Sequence, residues 1–350
     1  MLALIYTSII ATLLATVLVV ALRPLAIKLQ LVDKPDGRKT HKGEIPLIGG
    51  PVIWSVVTAG LIFAPVNPSW STIFAAAMLV ILGMVDDRQP VSARLKLVFH
   101  FAAAVIIVTN EGLLISDIGI FTEAFGAADL NGLHIAVAVL AIATAINAFN
   151  FIDGIDGLSA SMALMALTHA SLAFNLIFGA TPPDFAFFAV LISGALAGFL
   201  LFNLQVFNGR KIFLGDSGSM LVGLLVSLVL IDASQATVRD GPTLPASLCL
   251  WVIAIPLTDL LTIVIRRLAN GRSPMAPDRT HLHHKIMEAG ISARRTLLVM
   301  IFSSVGAFWI GYVLTTQFGE LASIIGFFAF IPAYYFSVQR FAHLLRAISG

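Results

Sequence analysis

Residues 134–158 read HIAVAVLAIATAINAFNFIDGIDGL. No Asp, Glu, Lys or Arg stands in 134–151, and then two carboxylates arrive within two turn-favouring Asp-Gly pairs. An apolar run of this kind approaches the roughly 20 residues that a helix needs to cross a hydrocarbon core of about 30 Å. Asn147, Asn150 and Asp153 recur at spacing three, which puts them near one face of the inner end of that helix. Asp153-Gly154 and Asp156-Gly157 favour turns. Glycine lets backbone approach a ligand closely, while the acids and amides supply hard oxygen ligands and hydrogen bonds. Ordinary turn chemistry does not explain two amides and two acids gathered in 147–156 beside so apolar a run.

The rest of the 350-residue chain repeats the pattern: it is 58% hydrophobic and 11% charged, with a mean hydropathy of +0.96. A water-soluble protein of this length needs far more charge to cover its surface. Windows of about 19 residues give apolar stretches near 2–22, 49–66, 70–85, 94–109, 134–151, 158–178, 185–204, 218–233, 244–265, 297–317 and 320–339. The expected fold is an all-α integral membrane protein, a polytopic bundle of about 11 transmembrane helices. The third and fourth stretches are short enough to be buried or re-entrant instead. The first has no basic residue before it, while Arg23 and Lys28 follow it. That order reads as a permanent span with the N-terminus outside, not a cleaved signal. With loops assigned alternately, every one of the 21 Lys and Arg residues except Arg239 falls inside. This positive-inside bias places the C-terminus in the cytoplasm.

The whole chain, 1–350, is expected to be one membrane domain whose site is formed by the inner loops 23–48, 86–96, 150–158, 205–217 and 266–296. The outer stretch 110–133 carries Glu111, Asp117, Glu123 and Asp129 without Lys or Arg, and reads as a short cap with a strand or two. The single cysteine, Cys249, excludes an intramolecular disulfide and reads as a small core residue. The basic loops are short and adjoin membrane spans, so they do not describe a nucleic-acid surface.

Four further inner clusters carry candidate chemistry. Asp86-Asp87 closes the third stretch, and adjacent like charges resist joint ionisation unless a cation is shared or a proton held. A Mg²⁺ ion or a proton-transfer role would meet that need, and so would a solvated helix end with Arg88 as counter-charge. Gly215-Asp216-Ser217-Gly218 opens the eighth stretch, and reads either as an anion or metal–phosphate cradle or as a plain N-cap. His281, His283 and His284 follow Arg279 without a nearby Cys or the histidine spacing of a structural zinc site. Hydrogen bonding and charge neutralisation toward a phosphorylated sugar fits them better. The first inner loop sets Lys34, Arg38, Lys39 and Lys42 before Gly49-Gly50, which suits a diphosphate or a positive-inside loop with flexible turns. Asp259 lies two helical turns before Arg266, and either lining the cavity or pairing with a cation would suit it.

In their order and common side these motifs resemble the polyprenyl-phosphate N-acetylhexosamine-1-phosphate transferases, the family that includes the phospho-MurNAc-pentapeptide translocase. Asp86-Asp87, Asn150 through Leu158, Gly215 through Gly218 and Arg279 through His284 carry the resemblance, which spans about 30–290. It implies attack of a polyprenyl phosphate on the β-phosphorus of a UDP-sugar, releasing UMP, with Mg²⁺ required and Mn²⁺ as a substitute. It also implies that Asp86 or Asp87 deprotonates or orients the lipid phosphate and that Asp216 is a metal ligand and catalytic. Asp153 and Asp156 would complete the metal and nucleotide site. Lys42, Asn147, Asn150, Arg279, His281, His283 and His284 would bind substrate.

Many relatives place a third Asp three positions after the pair, where this chain reads Arg88-Gln89-Pro90, which leaves the pair to carry the function. His-Leu-His-His is close to the His-Ile-His-His of GlcNAc-type members, with FucNAc, QuiNAc and MurNAc-pentapeptide donors as alternatives. The implied setting is the bacterial inner membrane, at the start of a cell-surface glycan pathway such as cell-wall or lipopolysaccharide synthesis, with a homodimer suggested. A secondary transporter would instead need charges near the bilayer midplane reached from both sides. Here the acids sit at inner helix ends and the outer loops hold no matching polar cluster.

Overall fold

The computed structural model describes residues 2–34, 43–63, 69–119, 133–207, 209–235, 241–273 and 281–349, with side chains described through 341. Among the described residues, eight helices are long and apolar enough to cross a membrane, or nine if one bent pair counts as a span. They establish a polytopic all-α membrane protein. Chain order runs α1 (Leu2–Lys28), β1 (Val32–Asp33), β2 (Ile45–Pro46), α2 (Gly49–Phe63), α3 (Trp70–Arg88), α4 (Ala93–Glu111) and α5 (Leu133–Ile152). It continues with α6 (Leu158–Phe178), α7 (Pro183–Asn203), α8 (Gly215–Ser234), α9 (Ala246–Val252), α10 (Ala254–Ala269), α11 (Leu282–Glu288) and α12 (Ala293–Ser349). The third and fourth stretches are full helices of 19 residues each. Both start at a serine that accepts a backbone N–H, Ser69 from Thr72 at 3.2 Å and Ser92 from Leu95 at 3.3 Å.

Two compact units divide the chain. The first comprises Met1–Leu113, Ala138–Ile146 and Pro182–Val229. Helices cannot use water to drive their association inside a bilayer, so close backbone approach through small residues replaces it. Gly194 and Gly198 of α7 meet Ser8, Ala11, Thr12 and Ala15 of α1, and Thr12 Oγ1 donates to Gly194 O at 3.2 Å. The expected all-α fold gains a two-residue antiparallel ribbon, with Val32 opposite Pro46. This ribbon anchors the segment before α8: Phe213 N–H donates to Pro46 O at 2.8 Å, and Gly49 N–H to Phe213 O at 3.1 Å.

The second unit comprises Leu114–Val137, Asn147–Thr181 and Leu230–Gly350. Its core is Trp251, 1% exposed, wedged against Gly311, with Nε1 donating to Ser323 O at 3.2 Å. The ninth expected span is not continuous. It breaks at Ile253, where α9 and α10 turn through 83°. Pro256 explains the break, because it lacks an N–H for the carbonyl of Val252 and its ring would crowd that carbonyl. The last two expected spans run together as α12, interrupted by non-helical backbone at Gly319 with φ 84° and ψ 172°. In the stretch 110–133, residues 112–118 carry no regular structure, and 120–132 lie outside the described residues.

Candidate active site

In the first unit the last turn of α3, the first turn of α4 and the start of α8 converge. Asp87 Oδ1 accepts the Asp216 N–H at 2.8 Å and Oδ2 the Ser217 N–H at 3.5 Å. A carboxylate from one helix thus caps the N-terminus of another, where orphan N–H groups and the helix dipole favour negative charge. The cap role anticipated for Asp216 or Ser217 belongs to Asp87. Gly215 makes the fit, with φ +72° and Asp87 Oδ2 only 2.5 Å from where a Cβ would stand. Gly83 is equally constrained, because a Cβ there would strike the backbone of Ser217. The small residues around Asp216 therefore serve close helix crossing.

Relieved of capping, the Asp216 side chain turns to Lys96, whose Nζ lies 3.1 Å from Asp216 Oδ2 and 2.8 Å from Asp86 Oδ2. Asp86 is held on its other oxygen by the Val91 N–H at 2.6 Å. Side-chain exposure falls from 34% at Asp216 to 20% at Lys96 and 8% at Asp86, so Asp216 is the more open of the two acids on the lysine. Asp86 and Asp87 are adjacent in sequence yet do different work. Asp86 clamps the lysine, and Asp87 fixes the helix that presents Asp216. Lys96 was counted above only as an inside cation. The signal for it was a lysine in the first turn of an apolar span, close behind an acid pair.

Two carboxylates on one ammonium, with Asp87 beside them at the α8 N-terminus, leave an acidic excess, and hard oxygen donors with excess negative charge fit a divalent cation such as Mg²⁺. Among the described residues, no group of three or more His, Cys, Asp or Glu side chains is already arranged around a metal position.

The second unit holds the other candidates. Asn147 and Asn150 of α5 and Asp153 just past its end are half-buried, as is Phe151, while Ala148, Phe149 and Ile152 among them are buried. The turn closes with Gly154 N–H on Ile152 O at 2.7 Å and Gly157 at φ +76° before α6, and half-buried Asp156 lies in it. Gly154 is required by packing, because a Cβ there would collide with Nε2 of His283. The Asp-Gly turn and the histidine motif, far apart in sequence, thus meet. His281 binds Asp259, its Nδ1 2.8 Å from Oδ2, and stands edge-on to Phe151 with ring centroids 6.0 Å apart. The guanidinium of Arg267, 5% exposed, lies over the Phe151 ring at 5.6 Å. His284 packs on His283, with centroids 4.2 Å apart. Phe151 and Arg267 were not among the sequence candidates. The four-residue spacing of Asp259, Ile263 and Arg267 was the available clue, since it puts both charges on one helix face. Lys42 and Arg279 lie outside the described residues.

His283 is fully buried, and neither ring nitrogen is hydrogen-bonded among the described residues. Burial first, then the neighbouring His284 and His281, push its pKa down to about 3. An unfolded histidine titrates near about 6.5, so between these values the unfolded chain binds a proton that the native chain refuses. Stability from this group is whole above about pH 6.5 and is lost progressively as pH falls toward 3. Lowering pH from 7 to 5 should cost about 2 kcal/mol through His283, read as thermal unfolding in detergent. His283→Phe, which keeps a ring in the stack, should reduce that acid sensitivity; an unchanged one would refute the assignment.

A many-span helical protein that joins acids and a lysine at converging helix ends, and builds histidines around a buried aspartate, has the makings of a membrane enzyme for phosphorylated substrates. The chain belongs to glycosyl transferase family 4, whose model matches residues 69–234. It is 34% identical over 295 residues to the undecaprenyl-phosphate alpha-N-acetylglucosaminyl 1-phosphate transferase of Escherichia coli (strain K12), covering 81% of this chain and 78% of that one. The protein of the same name from Yersinia pestis is 33% identical over 296 residues, covering 83% and 79%. That from Haemophilus influenzae is 31% identical over 332 residues, covering 93% of this chain and 92% of its own.

Proposed function

We propose that this protein transfers an N-acetylhexosamine 1-phosphate, GlcNAc-1-phosphate in the leading reading, from a UDP-sugar to undecaprenyl phosphate. The products are undecaprenyl-diphosphate-sugar and UMP. The carrying observation is Lys96 held between Asp86 and Asp216 at the α8 N-terminus, together with relatives bearing that activity's name over most of the chain. Phosphoryl transfer asks a protein mainly for charge neutralisation and in-line positioning. Lys96 offers a positive charge on a fixed stem, and Asp216 is its most exposed partner. Asp86 keeps the ammonium in place and is the candidate to orient the lipid phosphate, while Asp87 acts through the backbone of α8. Asp216 would hold Mg²⁺, with Asp153 and Asp156 as further candidate ligands, and the bound ion would neutralise diphosphate charge. Asn147 and Asn150 supply hydrogen bonds, and His281, His284 and Arg267 provide contacts for an anionic sugar nucleotide, joined by Lys42 and Arg279. His283 supports them from behind.

The topology that suits this reaction has eleven spans, with the N-terminus outside and the reactive ends at the cytoplasmic face of a bacterial inner membrane. There a soluble nucleotide meets a lipid chain, and a homodimer is the proposed assembly. The test is UMP release by purified protein with undecaprenyl phosphate and Mg²⁺, offering UDP-GlcNAc and then other UDP-HexNAc donors. UMP from UDP-GlcNAc alone is expected. UMP only from another donor would move the sugar assignment, and none from any donor would overturn the reading.

A further inference from the structure

We infer that Asp259 is a positioning residue for His281, fixing which ring nitrogen carries hydrogen and which is presented to substrate. Asp259 lies on the buried face of α10, 1% exposed, just beyond the 83° break that turns this short helix out of line with α9. Its two oxygens are engaged at two fixed points. Oδ2 lies 2.8 Å from His281 Nδ1, and Oδ1 accepts the Leu282 N–H at 2.9 Å.

An ionised carboxylate can only accept. His281 must therefore carry its hydrogen on Nδ1, and Nε2 is the ring atom left to face a ligand. The backbone bond gives the pair its precision, because a carboxylate tied to Leu282 cannot rotate with the imidazole. The remaining sides of the ring are also held. Phe151 stands edge-on at 6.0 Å, and His283 stacks at 5.5 Å. Only 12% of the His281 side chain is exposed, so the ring has little room to adopt a second orientation. A buried carboxylate is costly unless paired, and here its pairing sets both the direction and the tautomer of an imidazole. An outer partner of this kind orients and tunes a histidine without itself contacting the ligand.

The activity readout rests on the proposed UDP-sugar reaction; the spectroscopic one does not. Two-bond proton–nitrogen spectra of full-length protein labelled with ¹⁵N-histidine, in detergent, report the protonation of each ring nitrogen. His281 is assigned by the signals lost in His281→Gln. The expected result is hydrogen on Nδ1 in the parent. In Asp259→Asn the amide can still accept from Leu282, but it turns its N–H₂ to the ring, so Nδ1 should lose its hydrogen. A parent with bare Nδ1, or spectra unchanged by Asp259→Asn, overturns the inference.

In kinetics, Asp259→Asn should raise KM for the UDP-sugar by about 10- to 100-fold. It should add little in a His281→Gln background, because the two act as one unit. Equal losses in both backgrounds would mean that Asp259 serves the fold alone. If the parent releases UMP from no donor, the proposed reaction fails while the spectra still decide the role of Asp259.

Discussion

Asp216→Asn is expected to reduce UMP formation by about 10³-fold or more, with a melting temperature in detergent close to that of the parent. The fold should survive because the bonds that cap α8 come from the backbone N–H groups of residues 216 and 217 to Asp87, and the substitution leaves both intact. The side chain itself lies at the end of a helix with one oxygen 3.1 Å from Lys96. Replacing it by a carboxamide of the same shape removes one negative charge and little packing. Any loss of turnover therefore reports charge. The dependence on Mg²⁺ concentration should also weaken if this carboxylate holds the ion. Unchanged turnover in a folded Asp216→Asn protein would eliminate Asp216 from both roles.

The contrast between Asp86 and Asp87 shows where the sequence stopped being informative. Two adjacent acids in an apolar chain announce a site, because their cost near hydrocarbon demands compensation. Successive residues on a helix point about 100° apart, however, so neighbours in sequence need not be neighbours in function. The compensation differs for each: an ammonium and the Val91 N–H for Asp86, and the N-terminus of α8 for Asp87. Only the three-dimensional crossing, made possible by Gly83 and Gly215, reveals that. The Asn147, Asn150, Asp153 cluster at the end of α5 was legible because it is local in sequence. The pairing of Asp259 with His281 was not, since 22 residues and the end of α10 separate the two. The same limit hid the break between α9 and α10: hydropathy sums over a window, and Pro256 hardly alters the sum while it redirects the helix.

Lys96→Met should have the second large effect, a fall in turnover of about 10²- to 10³-fold accompanied by lost stability. Methionine preserves the length of the stem and its packing along α4, so what disappears is the charge and its two bonds. Removing one member of a buried ion pair leaves the other uncompensated, at a cost of about 3–5 kcal/mol. Asp86, with 8% of its side chain exposed, sits near that limit, whereas Asp216 at 34% can recover part of its solvation. The Lys96→Met/Asp86→Asn double variant should therefore regain stability over the single one without regaining turnover. Magnesium separates two duties of the lysine. If Lys96 only neutralises carboxylates, raising Mg²⁺ should restore much of the activity, because a divalent ion can take over that charge. If the ammonium also binds a phosphate oxygen during transfer, added Mg²⁺ should leave turnover low. The geometry favours the second outcome, because a lysine held from two sides at the mouth of a helix N-terminus has its charge placed before substrate arrives. Full rescue by Mg²⁺ would reduce Lys96 to a counter-ion.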